Sequence, residues 1–269
     1  MIPLLTPLFQ GEWAPLGEAL ACSPRWPPDA IQVSHLIRDD RLLASAIRQH
    51  ARRRGVTGDD LRAAASAWSM DYLWALLPPV AAAASVLQHG FPMRAEQVAV
   101  ELDGSGTPTR FHIALEGRSM AGEPTAVRYG PLLWHHLEPL FAAIARQTRL
   151  PQKILWANAA RYLQTILEQA LALTGDAPHV AADLHALLHE PHWPDQHRNP
   201  LYARQREASR IEDGTPVTIR LHRHCCLYYR LPGHGYCGAC PLDPQHRNHL
   251  RAGDDMLLEI CDGDWDPGL

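Results

Sequence analysis

Apolar residues recur with a helical period over most of the chain and alternate strictly only in short stretches. Residues 34–54 read as one helix ending in a basic turn, with Gly55 as the stop, because glycine takes the left-handed conformation that closes helices. A second helix is predicted to begin near residues 57–60. Leu61, Ala65, Trp68 and Tyr72 fall at i, i+4, i+7 and i+11 and share one face. Pro78 and Pro79 should end it, since proline lacks the N–H and disfavours helix at the residue before it. The period then changes. Residues 97–102 (QVAVEL) and 110–115 (RFHIAL) alternate around Asp103-Gly-Ser-Gly, which predicts a hairpin.

Two long amphipathic helices follow. In 130–149 the apolar stripe is Leu133, Leu137, Leu140, Phe141 and Ile144. In 152–173 it is Leu155, Ala159, Tyr162, Leu163, Ile166, Leu167 and Ala170, with Gly175 as the stop. Residues 180–189 suggest a short helix, 191–200 a proline-punctuated loop, and 215–221 (TPVTIRL) a strand. The first thirty residues, rich in Pro and Trp, resemble an irregular arm. The pattern predicts an α+β fold, mainly helical, with a small antiparallel sheet. The expected divisions are 1–55 (arm and first helix), 56–200 (helical domain with the hairpin) and 201–269 (cysteine-bearing segment and acidic tail).

Composition narrows the function classes. The chain has 269 residues, 46% apolar and 20% charged, enough for a core and too few charges for global disorder. Its net charge of −4 argues against nucleic acid as a partner. The basic residues are nearly all Arg, with Lys153 the single lysine, and the sixteen His are scattered. The first eleven residues lack a basic leader, so no export signal is expected and a cytoplasmic location follows. Residues 72–93 carry no formal charge. Pro78 and Pro79 at their middle, and the weakly apolar Ala81 to Ala84, favour a buried helix–break–helix over a membrane span.

Four of the six cysteines fall within sixteen residues, as Cys225-Cys226, ten residues, Cys237, two residues, Cys240. Without an export signal, six cysteines imply free thiols or metal ligands rather than disulfides. Four thiolates complete a ligand set for zinc or for an iron–sulfur cluster. The two-residue spacer lets Cys237 and Cys240 face one metal. Adjacent cysteines on a strand would point to opposite faces, so the strand must end or bulge there. Diverging sulfurs suit two irons better than one zinc. Gly233, Gly235 and Gly238 let the backbone bend around the site. Between residues 198 and 251 nine arginines face four acids, and Arg223 and Arg230, which flank the ligands, are the candidate counter-charges. Tyr228, Tyr229 and Tyr236 are candidates to shield the centre. Cys22 and Cys261 stand alone and read as packing thiols.

The stretch RHCCLYYRLPGHGYCGACP at 223–241 resembles the cluster-binding signature of the FhuF family of ferric siderophore reductases. Residues 66–72 (SAWSMDY), 76–80 (LLPPV) and 155–160 (LWANAA) are similar to the family's helices. The resemblance implies that Cys225, Cys226, Cys237 and Cys240 ligate a [2Fe–2S] cluster. It also implies one-electron reduction of hydroxamate-type ferric siderophores. Gly104-Ser-Gly106 lies in a predicted turn and is no dinucleotide fingerprint. The electrons would therefore come from a separate ferredoxin-like or flavin-dependent donor. His222, His224 and His234 are candidate proton sources, and the helices around Ser66, Tyr72, Trp156 and Asn158 candidate pocket walls. A non-catalytic iron–sulfur sensor, a siderophore-binding protein and a structural zinc protein remain open from the residues alone.

Overall fold

A computed structural model describes residues 1–212 and 215–249. The chain opens with short helical turns and α1 (Ala14–Glu18), then β1 (Leu20–Cys22) and β2 (Ile31–Gln32). These residues are not an irregular arm. Ile2, Leu5, Phe9 and Leu20 are buried in the main core, and β1 and β2 form the two edges of a sheet. Their apolar side chains are spaced too irregularly to signal regular structure, and it is tertiary pairing that orders them.

The helix expected over 34–54 is two helices, α2 (Val33–Arg38) and α3 (Asp40–Arg53). Asp39 separates them. Its backbone is extended, and its carboxylate accepts the N–H groups of Arg41 (2.9 Å) and Leu42 (3.1 Å), an N-cap for α3. The expected stop holds. Gly55 lies at φ +73°, and Val56 N–H donates to Ala51 O at 2.9 Å, a Schellman closure.

The next helix, α4 (Arg62–Ser85), is the axis of the molecule. It does not break at Pro78 and Pro79 but runs through both. An interior proline costs roughly 3 kcal/mol in an isolated helix. Here Leu76, Leu77, Val80 and Ala81 are at most 4% exposed, and burying each large apolar side chain contributes about 1.5–3 kcal/mol. Packing on all sides, above all against α7 (Gln152–Thr174), outweighs the local preference. Among the described residues no helix is long and apolar enough to cross a membrane.

After β3 (His89–Gly90) comes the predicted hairpin, β4 (Val98–Leu102) and β5 (Pro108–Ile113). Asp103 Oδ1 accepts from Ser105 N–H (2.8 Å) and Thr107 N–H (3.0 Å) and so shapes the turn. Gly106, at φ +74°, packs so close to α3 that a Cβ would meet Ala46 O at 2.5 Å. Its carbonyl accepts the Trp68 indole N–H at 2.8 Å. Gly106 thus serves packing. The sheet order is β1-β5-β4-β2. The β4 contacts are antiparallel and β1–β5 is parallel, so the small sheet is mixed. A short β6 (Arg118–Ser119) pairs with β3.

Residues 125–148 form one continuous helical run: α5 (Thr125–Leu132), a π turn (Leu133–Leu137) and α6 (Glu138–Thr148). The π turn aims His136 into the core, where Nδ1 donates to Met93 O (3.0 Å) and Nε2 accepts the Tyr72 hydroxyl (2.5 Å). Gly175 caps α7 at φ +63°, as expected, and α8 (Pro178–Leu188) follows. Arg128 and Asp183 form a buried ion pair that also engages Thr125 and, through Ser85, Tyr129. A last antiparallel hairpin joins β7 (Glu207–Glu212), which the residue pattern did not signal, to β8 (Thr215–Arg220). Cys261 and the acidic run from Asp254 to Asp266 lie outside the described residues.

Burial pushes His136 down to about 4 from 6.5. Between those values the unfolded chain binds a proton that the native protein refuses, so stability is full above about pH 6.5 and falls as the pH drops towards 4. The loss expected from this residue is about 3 kcal/mol. Thermal unfolding across that range should show it. A His136→Asn variant should have a shallower pH dependence, and an identical slope in the two proteins would refute the assignment.

Candidate metal centre

The cysteines sit in a loop tethered at both ends. Beyond β8, Leu221 N–H donates to Arg206 O (2.8 Å) and His222 N–H to Ala239 O (2.9 Å), which draws the two ends of the cysteine segment together. The strand ends at Arg220, before the doublet, so Cys225 and Cys226 escape strand geometry. Leu227 follows in a left-handed conformation (φ +60°), and its N–H donates to Cys225 Sγ at 3.3 Å. A turn at Tyr228–Arg230 carries the chain outward, Gly233 (φ +76°) turns it back, and Cys240 N–H closes on Cys237 O at 2.9 Å.

The four thiols fall into two nested pairs and form no disulfide. The Cys240 thiol donates to Cys225 Sγ at 3.6 Å. Cys226 and Cys237 are near enough that each shifts the other's proton affinity. The direct thiol contact thus joins the outer two cysteines, Cys225 and Cys240, across the loop. Two thiolates on one tetrahedral metal with bonds of about 2.3 Å lie roughly 3.7 Å apart, so the outer pair is already at ligating distance. Among the described residues no three His, Cys, Asp or Glu side chains converge on a single ion. A pair at ligating distance, with two further cysteines in the same loop, supplies enough sulfur ligands for a two-iron centre.

Charge is distributed unequally over these sulfurs. Cys237 is pulled well below the usual thiol range, first by the hydrogen bond from Cys226, then by His222 and Arg161. Cys226 is pushed up as the partner that keeps the proton. Burial raises Cys225, and raises Cys240 to about 12. Metal-free, the loop favours one thiolate at Cys237; a metal has to displace the other protons.

The cation at the sulfurs is Arg161, on α7. Its Nη2 lies 3.8 Å from Cys237 Sγ and also donates to His222 Nε2. The residue pattern offered a signal that was missed, because Arg161 is the one charged residue between Lys153 and Glu168. Arg223 and Arg230, the candidates from sequence, are committed elsewhere. Arg223 ties α7 and α8 to the hairpin through Gln164 (3.0 Å), Leu188 O and Ala203 O. Arg230 reaches Asp60 at the start of α4 (3.1 Å).

The loop docks on α3 and α4. Leu231 is buried against Ala63 and Ala67. Arg54 donates to the Tyr228 hydroxyl (2.6 Å) and to Asp71 (3.1 Å), whose carboxylate also meets His50 (2.9 Å). Tyr229 and Tyr236 stack at 4.6 Å, and Tyr228 packs on His234. Burial lowers His224, which disfavours its charged form. The proposed pocket walls are core packing instead. Asn158 is buried and bonded to Ser66 and Ser69, and Trp156 packs on Phe141 and Trp134.

Residues 66–213 match the family model described as Ferric iron reductase FhuF-like transporter, and residues 223–242 match the FhuF 2Fe-2S C-terminal domain. A curated relative, the ferric siderophore reductase of Escherichia coli (strain K12), is 25% identical over 178 residues, which is 66% of this chain and 64% of that protein. The chain thus spans under two thirds of that relative. Among solved structures, aerobactin synthetase IucA of Klebsiella pneumoniae is similar at a TM-score of 0.47 and 18% identity, over 65% of this chain and 38% of that one. Aerobactin synthetase IucC of the same organism follows at 0.44 and 13%, over 65% and 36%.

The lowered Cys237 predicts selective chemistry. In metal-free protein at about pH 6, iodoacetamide should alkylate Cys237 ahead of its three neighbours, and Arg161→Gln should slow that labelling. Peptide mass spectrometry reads the order, and equal rates at all four sulfurs would contradict the charge distribution described here.

Proposed function

Since the chain belongs to the FhuF-like ferric iron reductase family, we propose that it reduces the iron of hydroxamate-type ferric siderophores in the cytoplasm. Cys225, Cys226, Cys237 and Cys240 would hold its [2Fe–2S] cluster. The observation that carries this is the outer sulfur pair at 3.6 Å, in one loop that also brings Cys226 and Cys237 near each other. When bound, such a cluster supplies a one-electron couple.

The chain's own residues set the conditions for that couple. Arg161 donates toward Cys237, where added negative charge is stabilised by a nearby guanidinium. Leu227 N–H on Cys225 fixes that sulfur from the other side. Leu231, buried on α4, and the Arg54–Tyr228 bond hold the loop against the helical body, so that little rearrangement follows a change of charge. On the substrate, hard oxygen donors bind Fe³⁺ tightly. One added electron lowers the ion's charge, and the same oxygens bind it less strongly. No bond within the siderophore has to break, so the protein needs docking and electron delivery rather than acid–base machinery. The electron would come from a separate ferredoxin-like or flavin-dependent donor.

Protein prepared without oxygen should contain iron and acid-labile sulfide in equal amounts and be red-brown. Mixed in its reduced form with a ferric hydroxamate complex in a stopped-flow instrument, it should re-oxidise while a ferrous chelator takes up iron. Protein that keeps its electron is a sensor or a binding protein, and protein that contains zinc instead is neither. Arg161→Gln should lower the midpoint potential by about 40–90 mV, the one-electron equivalent of the roughly 1–2 kcal/mol expected for a charge-assisted hydrogen bond. An unchanged potential would mean that Arg161 serves packing alone.

A further inference from the structure

Beside the inner sulfur pair lies a hollow of about 260 Å³ between α7 and the end of the second hairpin. Arg161, Glu168, Gln205, Arg220, His222 and Arg223 contribute to its lining. Three arginines and one glutamate are thus among its lining residues. Arg161, one of the lining residues, also lies 3.8 Å from Cys237 Sγ and donates to His222, another of them.

We propose that this hollow seats a free carboxylate on the substrate, so that the preferred ferric complexes are those bearing a pendant carboxylate rather than neutral ones. This rests on the reductase reading above. The size supports one arm of a ligand, not the whole complex, since pockets that enclose a small molecule run to roughly 300–1,000 Å³. Concavity on this scale suits a small group better than the broad face of a protein donor. Arginine suits the task because its planar fork grips a carboxylate through two parallel hydrogen bonds.

The interior of the hollow already shows the kind of contact it would make. Arg220 Nη1 meets Glu168 Oε1 at 3.3 Å, and both side chains are about half exposed. A pair of that exposure is weak and exchanges readily. Glu168 therefore occupies Arg220 as an internal stand-in, and an incoming carboxylate takes its place. Arg223 is held by Gln164 and two carbonyls and supplies charge from a fixed position. Arg161 faces the sulfur and the hollow together, so the bound anion lies on the side of the loop where Cys237 is found.

The test uses two ferric trihydroxamate complexes that differ only in a pendant carboxylate or its primary amide. Their gallium(III) counterparts, which accept no electron, are titrated calorimetrically into the oxidised holoprotein. The wild type should bind the carboxylate form about tenfold more tightly. Arg220→Gln should reduce that preference to about twofold, and Glu168→Gln, which removes the internal competitor, should enlarge it. Opposite effects from two exposed neighbours are not what loss of folding produces. Equal affinity for the two complexes in the wild type, with both ferric forms still reduced, overturns the carboxylate seat and leaves the reductase reading in place. Failure to reduce either ferric complex overturns that reading, and the seat with it.

Discussion

Cys225 and Cys240 approach to 3.6 Å without a covalent bond, while Cys226 and Cys237 shift each other's proton affinity within the same loop. Sulfurs so close repel one another once ionised, so the arrangement needs compensating charge. Metal-free, it is met by retained protons and by Arg161; with a metal bound, by the cations themselves. Most of the surrounding structure follows from this constraint. The left-handed Leu227 turns its N–H back onto Cys225, and the His222–Ala239 bond draws the two ends of the cysteine segment together.

A loop of this kind cannot hold its shape alone, because it buries little apolar surface. It borrows rigidity from α4. The first turns of that helix receive Leu231 and Arg230, and its middle supplies Asp71 to the Arg54–Tyr228 network. The same helix forms the axis of the main core and touches the sheet, α3 and α7. Its unbroken passage through Pro78 and Pro79 therefore has consequences at a distance, since a break there would uncouple the end that carries the loop from the end packed in the core. α7 has a comparable double role. Its Asn158 locks onto α4, and one turn later Arg161 reaches the sulfur.

Long-range partners explain where local patterns misled. The opening thirty residues lack period, yet β1 and β2 are drawn onto the hairpin as its two edges. Asp39 is a strong N-cap that the apolar stripe on either side concealed. Arg223 and Arg230 are adjacent to cysteines in sequence, but the loop turns their side chains towards Gln164 and Asp60. The cation beside Cys237 comes from 64 residues before Cys225, at Arg161, in a helix that looks like ordinary packing.

The amino-acid sequence alone determined the α+β class, the central hairpin, the glycine stops at Gly55 and Gly175, and the four cysteines as one chemical unit. Each rests on signals within a few residues: a repeat period, a turn, a spacing. Tertiary structure alone decided which sulfur partners which, which arginine faces them, and that a double proline could sit inside a continuous helix. Those outcomes depend on what lies across a packed interface. There, burial energy and opposing charge override local preference, and no short stretch of chain records its neighbour.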